Sequence, residues 1–176
     1  RSWTNFMTDW LNEAYRLCRP GAPICLFIDW RQLPSMTDAL QRSGWIWRGI
    51  AVWDKATCRP QKGRFRQQAE FIVWGSKEAM PLQRNVGCLP GVFRYSNPAS
   101  GGRIHVTEKS LPLMRDIVQI CEPGGRIFDP FAGAGTTILA AVREGYEAVG
   151  IEKTAAYYKL GSDRVKFALA AGENAK

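Results

Sequence analysis

A strand, a glycine turn and a helix follow one another in residues 127–142, and this unit restricts the fold more than any other stretch. The strand, residues 127–129, is short and apolar and ends in an acid. Gly133 and Gly135 then allow a sharp turn and close approach of a ligand to the backbone. The helix from Thr136 has apolar residues at helical spacing, and its first N–H groups point into the turn. The unit is therefore either a ligand-binding turn or an ordinary strand–turn–helix of an α/β protein.

A second strand, residues 148–151, leads into Glu152, which lies 19 residues after Gly133. Nucleotide-binding units place the acidic acceptor for ribose hydroxyls at about this distance. Ile138 stands where a dinucleotide fingerprint would have its third glycine, and Asp129 would repel a pyrophosphate. The pattern favours a cationic or hydroxyl-rich ligand instead. The other interpretation of Glu152 is an acid that pairs with the dipole at a helix start.

Hydrophobic periodicity in the rest of the chain predicts an α/β fold, and 176 residues are enough for one domain with a sizeable core. The predicted helices are residues 4–18, 35–43, 110–121 and 154–170, and the further predicted strands are residues 24–28, 45–52 and 70–74. Residues 24–28 form a continuous apolar run, which is typical of a buried parallel strand. Asp29 follows this run, either as a strand-end cap or as a residue beside the active site.

The net charge of +8 comes entirely from residues 42–103, which hold 11 basic and three acidic residues. The flanking parts of the chain are balanced. A localised basic segment is typical of a nucleic-acid-binding insert, although a solvated basic face is the alternative. Residues 56–69 and 75–104 show no period and are predicted to be loops. The candidate DNA contacts are Lys55, Arg59, Lys62, Arg64, Arg66, Arg84, Arg94, Tyr95 and Arg103.

Several classes of protein are disfavoured by composition. The sequence has no apolar run long enough to span a membrane and no signal-peptide pattern. Its five cysteines lack C-x-x-C spacing and are interpreted as reduced thiols of a cytoplasmic protein. The single histidine, His105, excludes a zinc site built on several histidines of this chain, and no metal is expected.

In this order, the motifs resemble those of the β class of S-adenosylmethionine-dependent DNA amino-methyltransferases. Residues 129–137 (Asp-Pro-Phe-Ala-Gly-Ala-Gly-Thr-Thr) are similar to the cofactor motif of that family. Residues 105–109 (His-Val-Thr-Glu-Lys) are similar to its H-P-T-E-K-P segment, with Val106 and Ser110 in place of the two prolines. Residues 17–22 resemble its L-K-P-G-G turn.

Residues 52–55 and 64–73 resemble the family's loop and strand before the recognition region, so the likeness covers nearly the whole chain. It implies a Rossmann-like methyltransferase sheet with helices on both faces and an irregular basic target-recognition insert. The implied parts are a catalytic half in residues 1–55, a basic recognition region in 56–104 and a cofactor-binding half in 105–176.

The resemblance also implies the partners: S-adenosylmethionine as cofactor and double-stranded DNA as substrate, with a homodimer left open. The implied activity is methylation of the exocyclic amino group of a flipped base, with adenine N6 preferred. It is an activity of restriction–modification systems. The alternatives are cytosine N4 methylation and an inactive protein that keeps the fold and binds DNA. An RNA or small-molecule methyltransferase is less consistent with the basic insert.

Each cofactor motif has an implied task. The glycines would admit the methionine moiety, Asp129 would favour the ammonium or sulfonium charge, and Glu152 would accept from both ribose hydroxyls. Thr107 and Lys109 would flank the amino acid end of the cofactor. The implied cofactor-binding residues are His105, Thr107, Glu108, Lys109, Asp129, Pro130, Phe131, Gly133, Gly135, Thr136, Thr137, Glu152 and Lys153.

The catalytic tetrapeptide of the family, Asp/Asn/Ser-Pro-Pro-Tyr/Phe/Trp, is missing, because the sequence contains no Pro-Pro pair. No catalytic residue is therefore assigned. In the family this tetrapeptide follows a central strand of the sheet, and its loss would leave unpaired backbone groups. We therefore expect that about 40–60 residues precede Arg1 in the natural protein.

Overall fold

The computed structural model describes residues 2–58, 60, 62–96 and 109–173. The chain divides into two compact units. The first consists of Arg1–Arg84 and Pro90–Arg94, and the second of Asn85–Leu89 and Tyr95–Lys176. The division into three functional parts stays a prediction.

The first unit contains two helices and a four-stranded sheet. Its elements are α1 (Trp3–Leu17), β1 (Pro23–Ile28), a short 3-10 helix (Trp30–Gln32), α2 (Leu33–Arg42), β2 (Ile46–Asp54), β3 (Ala69–Ser76) and β4 (Val92–Arg94). Helix α1 begins where the Ser2 hydroxyl accepts the N–H of Asn5 at 3.3 Å, which is the usual role of a serine N-cap. The predicted helices and strands of this unit are confirmed to within two residues at every boundary, whereas the prediction of a loop over residues 75–104 was wrong at β4.

The sheet of the first unit has the order β1-β3-β2-β4. Strand β3 is antiparallel to both β1 and β2, whereas β4 runs parallel to β2. The prediction of a parallel strand at residues 24–28 was wrong for the pairing that the described residues show, since Leu26 lies opposite Val73 in an antiparallel register. A continuous apolar run indicates that both faces of a strand are buried. It does not indicate whether the neighbouring strand is parallel or antiparallel.

One face of this sheet packs against α1 and α2. Leu11, Leu40 and Val73 are fully buried there. Trp45 lies in the same cluster, and its indole N–H donates to the backbone oxygen of Leu11 at 3.1 Å. The ring of Tyr15 meets Trp45 edge to face, with 5.4 Å between the ring centroids. The core therefore fixes the two helices on the sheet through apolar contacts and one buried hydrogen bond.

The second unit contains α3 (Leu111–Val118), β5 (Arg126–Asp129), α4 (Thr136–Arg143), β6 (Glu147–Gly150) and α5 (Ala155–Glu173). Strands β5 and β6 are parallel, with Asp129 opposite Gly150, and α4 is the crossover between them. Helix α4 contacts both strands and both other helices of the unit. A side chain at Gly150 would place its Cβ 2.9 Å from Ile138, so the glycine allows α4 to lie close to the strand.

The predicted helices and strands of the second unit are also confirmed, with small differences at their ends. Strand β6 ends at Gly150, one residue earlier than predicted. Within the described residues, no helix is both long enough and apolar enough to cross a membrane.

Candidate functional site

The glycine turn lies at the carboxyl ends of β5 and β6 and is hydrogen-bonded to them. The N–H of Ile151 donates to the backbone oxygen of Asp129, and the N–H of Ala132 donates to the oxygen of Ile151, both at 2.9 Å. The Asp129 carboxylate accepts the N–H of Phe131 at 2.9 Å. Asp129 thus shapes the entry to the turn and remains partly exposed there.

The two glycines of the turn have positive φ angles, 52° at Gly133 and 76° at Gly135, which a residue with a side chain adopts rarely. Their surroundings differ. A Cβ at Gly133 would have no described atom within 4 Å, whereas a Cβ at Gly135 would lie 3.0 Å from the Cα of Gly161. Gly133 therefore faces open space that a ligand can use, and Gly135 permits backbone contact with α5.

Glu152 connects the second strand to this turn. Its Oε2 accepts the N–H of Gly133 at 2.9 Å, and its Oε1 accepts the N–H of Thr154 at 2.7 Å. The contact with Thr154, whose oxygen accepts from Tyr158 at the start of α5, agrees with the helix-start interpretation. The contact with Gly133 joins the carboxylate to the glycine turn. An ionised carboxylate offers about four acceptor positions, so a side chain of this type can accept hydroxyl donors as well as backbone N–H groups.

The remaining candidates for cofactor binding surround the turn. Pro130 and Thr137 are half-buried, Phe131 is exposed, and Thr136 is buried in the first turn of α4. Lys153 is exposed, and Lys109 is half-buried at the edge of the described chain. Three further candidates, His105, Thr107 and Glu108, lie outside the described residues.

Asp29 acts as a cap in the first unit. Its carboxylate accepts the backbone N–H of Arg31 at 3.0 Å and the Arg31 side-chain Nε at 2.7 Å. These hydrogen bonds hold the pKa of Asp29 below its usual value. The geometry supports the strand-end cap of the two interpretations drawn from sequence.

Residues 62–67 of the basic loop between β2 and β3 are exposed. Lys62, Arg64 and Arg66 extend to solvent, and Phe65 between the two arginines is 97% exposed. Sequence reasoning did not select Phe65, although an aromatic residue inside a basic loop was a visible signal. The loop presents three cations and one aromatic ring within five consecutive residues.

Other basic candidates form contacts within the protein. The ammonium of Lys55 lies 2.9 Å from the Glu70 carboxylate and 5.4 Å from the centroid of the Trp53 ring. Arg94 pairs with Asp54 at 3.5 Å, while its side chain remains 76% exposed. The charge of Lys55 is largely balanced at its own position, whereas Arg94 can still reach an external anion.

Tyr95 belongs to the second unit, where its hydroxyl donates to the Asp116 carboxylate at 2.5 Å. This hydrogen bond raises the pKa of Tyr95. Arg84 is half-buried, and Arg59 and Arg103 lie outside the described residues.

Comparison with known proteins identifies a family whose model matches most of the chain. A family model described as DNA methylase, N6_N4_Mtase, matches residues 1–163. The chain belongs to this DNA methylase family. The match includes both the glycine turn and the basic loop, and the family label names both N6 and N4 amino groups.

Two relatives and one solved structure illustrate the likeness of this chain to known proteins. YubD of Escherichia coli (strain K12) is 28% identical over 163 residues, which are 89% of this chain and 69% of that protein. The type II methyltransferase M.XycI of Xanthomonas campestris pv. cyanopsidis is 30% identical over 168 residues, 84% of this chain and 54% of that enzyme. The chain therefore spans about half the length of M.XycI.

The crystal structure of the M1.HpyAVI–SAM complex has a TM-score of 0.79 and 26% identity. The alignment covers 94% of this chain and 85% of that one. The mixed α/β fold of this chain is therefore that of known methyltransferase structures, as the sequence predicted.

The structure also reveals two residues of the site that were not predicted from the sequence, both on α5. Gly161 contacts the backbone of Gly135, and Arg164 donates from Nη1 to the oxygen of Ala134 at 2.8 Å. The only signal in the sequence was a glycine inside a helical pattern, which often has a packing reason.

Proposed function

We propose that this DNA methylase transfers a methyl group from S-adenosylmethionine to an exocyclic amino group of duplex DNA. One observation carries the proposal: the Glu152 carboxylate lies 2.9 Å from the Gly133 nitrogen, beside a turn that is open at Gly133. A hydroxyl acceptor and an accessible glycine backbone are thereby combined at the ends of two parallel strands. Open α/β sheets bind ligands at such strand ends.

The residues around the turn fit S-adenosylmethionine chemically. Glu152 would accept hydroxyl protons of the ribose, and Asp129 supplies a negative charge for the ammonium or sulfonium group. The backbone at Gly133 leaves room for the methionine moiety. When bound, the cofactor supplies a methyl group that its sulfonium has already activated.

The work of the protein is therefore mainly positioning. Fixing the acceptor nitrogen in line with the methyl carbon can supply roughly 7–11 kcal/mol of the barrier. Glu152, Asp129 and the Gly133 backbone would hold the cofactor, and the bound cofactor would supply the methyl group that replaces one proton of the amino nitrogen, with that proton passing to solvent. No residue of this sequence is assigned to hold the amino group.

The exposed basic loop supports duplex DNA as the substrate. Lys62, Arg64 and Arg66 would contact phosphates and orient the protein, with Arg94 as a further contact. The target base would leave the helix before reaction, at a cost of a few kcal/mol. A cytoplasmic location and a role in restriction–modification belong to the same proposal.

Adenine N6 is the proposed target, and cytosine N4 is the alternative within the same family. The test is incubation of the purified protein with S-adenosylmethionine and duplex DNA, followed by mass spectrometry of the released nucleosides. N6-methyladenine would support the proposal, and N4-methylcytosine would support the alternative. Binding of both ligands without a methylated nucleoside would instead favour the inactive DNA-binding protein.

A further inference from the structure

We propose that Arg164 is a positioning residue that holds the glycine turn in the conformation needed for cofactor binding. The inference rests on the proposed function. It adds a residue of α5 to a site so far built from β5, β6 and the turn between β5 and α4.

The contact of Arg164 is with a backbone group that has to be satisfied. Ala134 is only 5% exposed, and its oxygen accepts the Nη1 proton of Arg164 at 2.8 Å. A buried carbonyl without a partner is costly, and a charged donor makes one of the stronger hydrogen bonds in proteins. The guanidinium therefore fixes the orientation of the peptide group between Ala134 and Gly135.

The same peptide group is fixed at its other end. The N–H of Gly135 donates to the oxygen of Ala132 at 2.8 Å. The peptide group two positions earlier, between Ala132 and Gly133, donates its N–H to Glu152. The peptide groups on both sides of the open Gly133–Ala134 segment are thus held, one by Glu152 just before α5 and the other by Arg164 within it.

Gly161 explains why Arg164 can reach the turn. A Cβ on Gly161 would lie 3.2 Å from both the carbonyl carbon of Ala134 and the nitrogen of Gly135. The glycine therefore allows the backbone of α5 to touch the turn, and Arg164, three residues later, lies on the same side of the helix. The packing contact of Gly161 and the hydrogen bond of Arg164 therefore both come from one face of α5.

The experiment compares Arg164→Met, which removes the donors but keeps an apolar side chain, with Arg164→Lys, which restores one donor. Lys166→Met, on an exposed position of the same helix, is the matched control. We expect Arg164→Met to raise the Kd for S-adenosylmethionine about tenfold, which is part of the value of a charge-assisted hydrogen bond. Arg164→Lys should recover part of the affinity, and Lys166→Met should bind like the natural protein.

Kinetics separate positioning from general stability. With binding measured well below each Tm, a positioning role raises KM for S-adenosylmethionine while kcat and KM for DNA stay within about threefold. A lowered Tm with unchanged Kd would overturn the inference.

If Arg164→Met does not fold, Gly161→Ala replaces it in the test, because the Cβ of the new alanine would press on the same turn. Unchanged affinity in Gly161→Ala and Arg164→Lys would then overturn it.

Failure of the inference differs from failure of the proposed function. If the natural protein binds S-adenosylmethionine and Arg164→Met binds it equally well, Arg164 does not position the turn. If the natural protein itself does not bind S-adenosylmethionine, the proposed function fails, and the inference fails with it.

Discussion

The carboxylate of Glu152 accepts the backbone N–H of Gly133, with 2.9 Å between oxygen and nitrogen, although 19 residues separate them in the sequence. The contact joins the end of β6 to the turn after β5. Glu152 is therefore a structural part of the turn, and it is also the proposed acceptor for ribose hydroxyls.

Replacement of Glu152 by glutamine tests the charge of this acceptor. Glu152→Gln keeps one oxygen that can accept the Gly133 N–H but removes the negative charge. Hydrogen bonds to charged groups contribute about 1.5–3 kcal/mol, so the Kd for S-adenosylmethionine should rise about 10- to 150-fold by calorimetry. Glu147→Gln is the matched control, since Glu147 lies on β6 and pairs with Arg126 of β5 at the surface. Equal affinities in all three proteins would refute the role of Glu152.

Replacement of Asp129 by asparagine distinguishes two tasks of that side chain. Asn retains an oxygen for the Phe131 N–H, so the turn should persist, while the charge is lost. We expect at least tenfold weaker binding of S-adenosylmethionine. S-adenosylhomocysteine keeps the ammonium but lacks the sulfonium charge. Equal weakening of both ligands would place the effect at the ammonium, and weakening of S-adenosylmethionine alone would place it at the sulfonium. If neither ligand binds more weakly, Asp129 does not act through its charge.

The basic loop should determine part of the salt dependence of DNA binding. Each neutralised phosphate contributes a slope of about −0.9 in a plot of log K against log salt concentration. Arg64→Ala combined with Arg66→Ala should therefore reduce the magnitude of the slope by about 1.8, measured by fluorescence anisotropy with duplex DNA. Arg16→Ala combined with Arg126→Ala removes two surface cations that are ion-paired in the protein. A slope that falls equally in both pairs would contradict a specific role for the loop.

The core of the first unit gives a prediction that is independent of function. Trp45→Phe removes the buried N–H that donates to Leu11 and leaves that carbonyl without this partner. The Leu11 carbonyl keeps its helical partner within α1, so the change removes one hydrogen bond, which is worth about 0.5–1.5 kcal/mol, and the smaller ring adds a packing loss. Urea denaturation should show this loss of unfolding free energy. Trp47→Phe, at a position that is 41% exposed, should have little effect.

The cysteines should differ in reactivity. Burial raises the pKa of the Cys25 thiol to about 12, whereas Cys88 is exposed. A thiol reagent at pH 8 should modify the exposed Cys88 much faster than the half-buried Cys25, with Cys88→Ser as the control. Because the folded protein keeps the Cys25 proton more strongly than the unfolded chain, this thiol's contribution to stability is complete below the ordinary thiol pKa. It is lost as pH rises toward 12. Rapid labelling of Cys25 in the native protein would contradict the fold of β1.

Local patterns predicted the glycine turn well, because the turn, its helix and Glu152 belong to one strand–helix–strand unit of short connections. Contacts between segments that are distant in the sequence could not be predicted from local patterns. The antiparallel pairing of β1 with β3 depends on a strand more than 40 residues away. Strand β4 has three residues, too few for a period to show. Arg164 was missed because helical periodicity does not tell which turn of α5 meets Ala134.

A calorimetric titration of S-adenosylmethionine into the purified natural protein tests the cofactor site most directly. We predict saturable binding at one site per chain, competition by S-adenosylhomocysteine, and no competition by ATP, whose phosphates Asp129 would repel. Binding of ATP in preference to S-adenosylmethionine, or no saturable binding of S-adenosylmethionine at millimolar concentration, would contradict it.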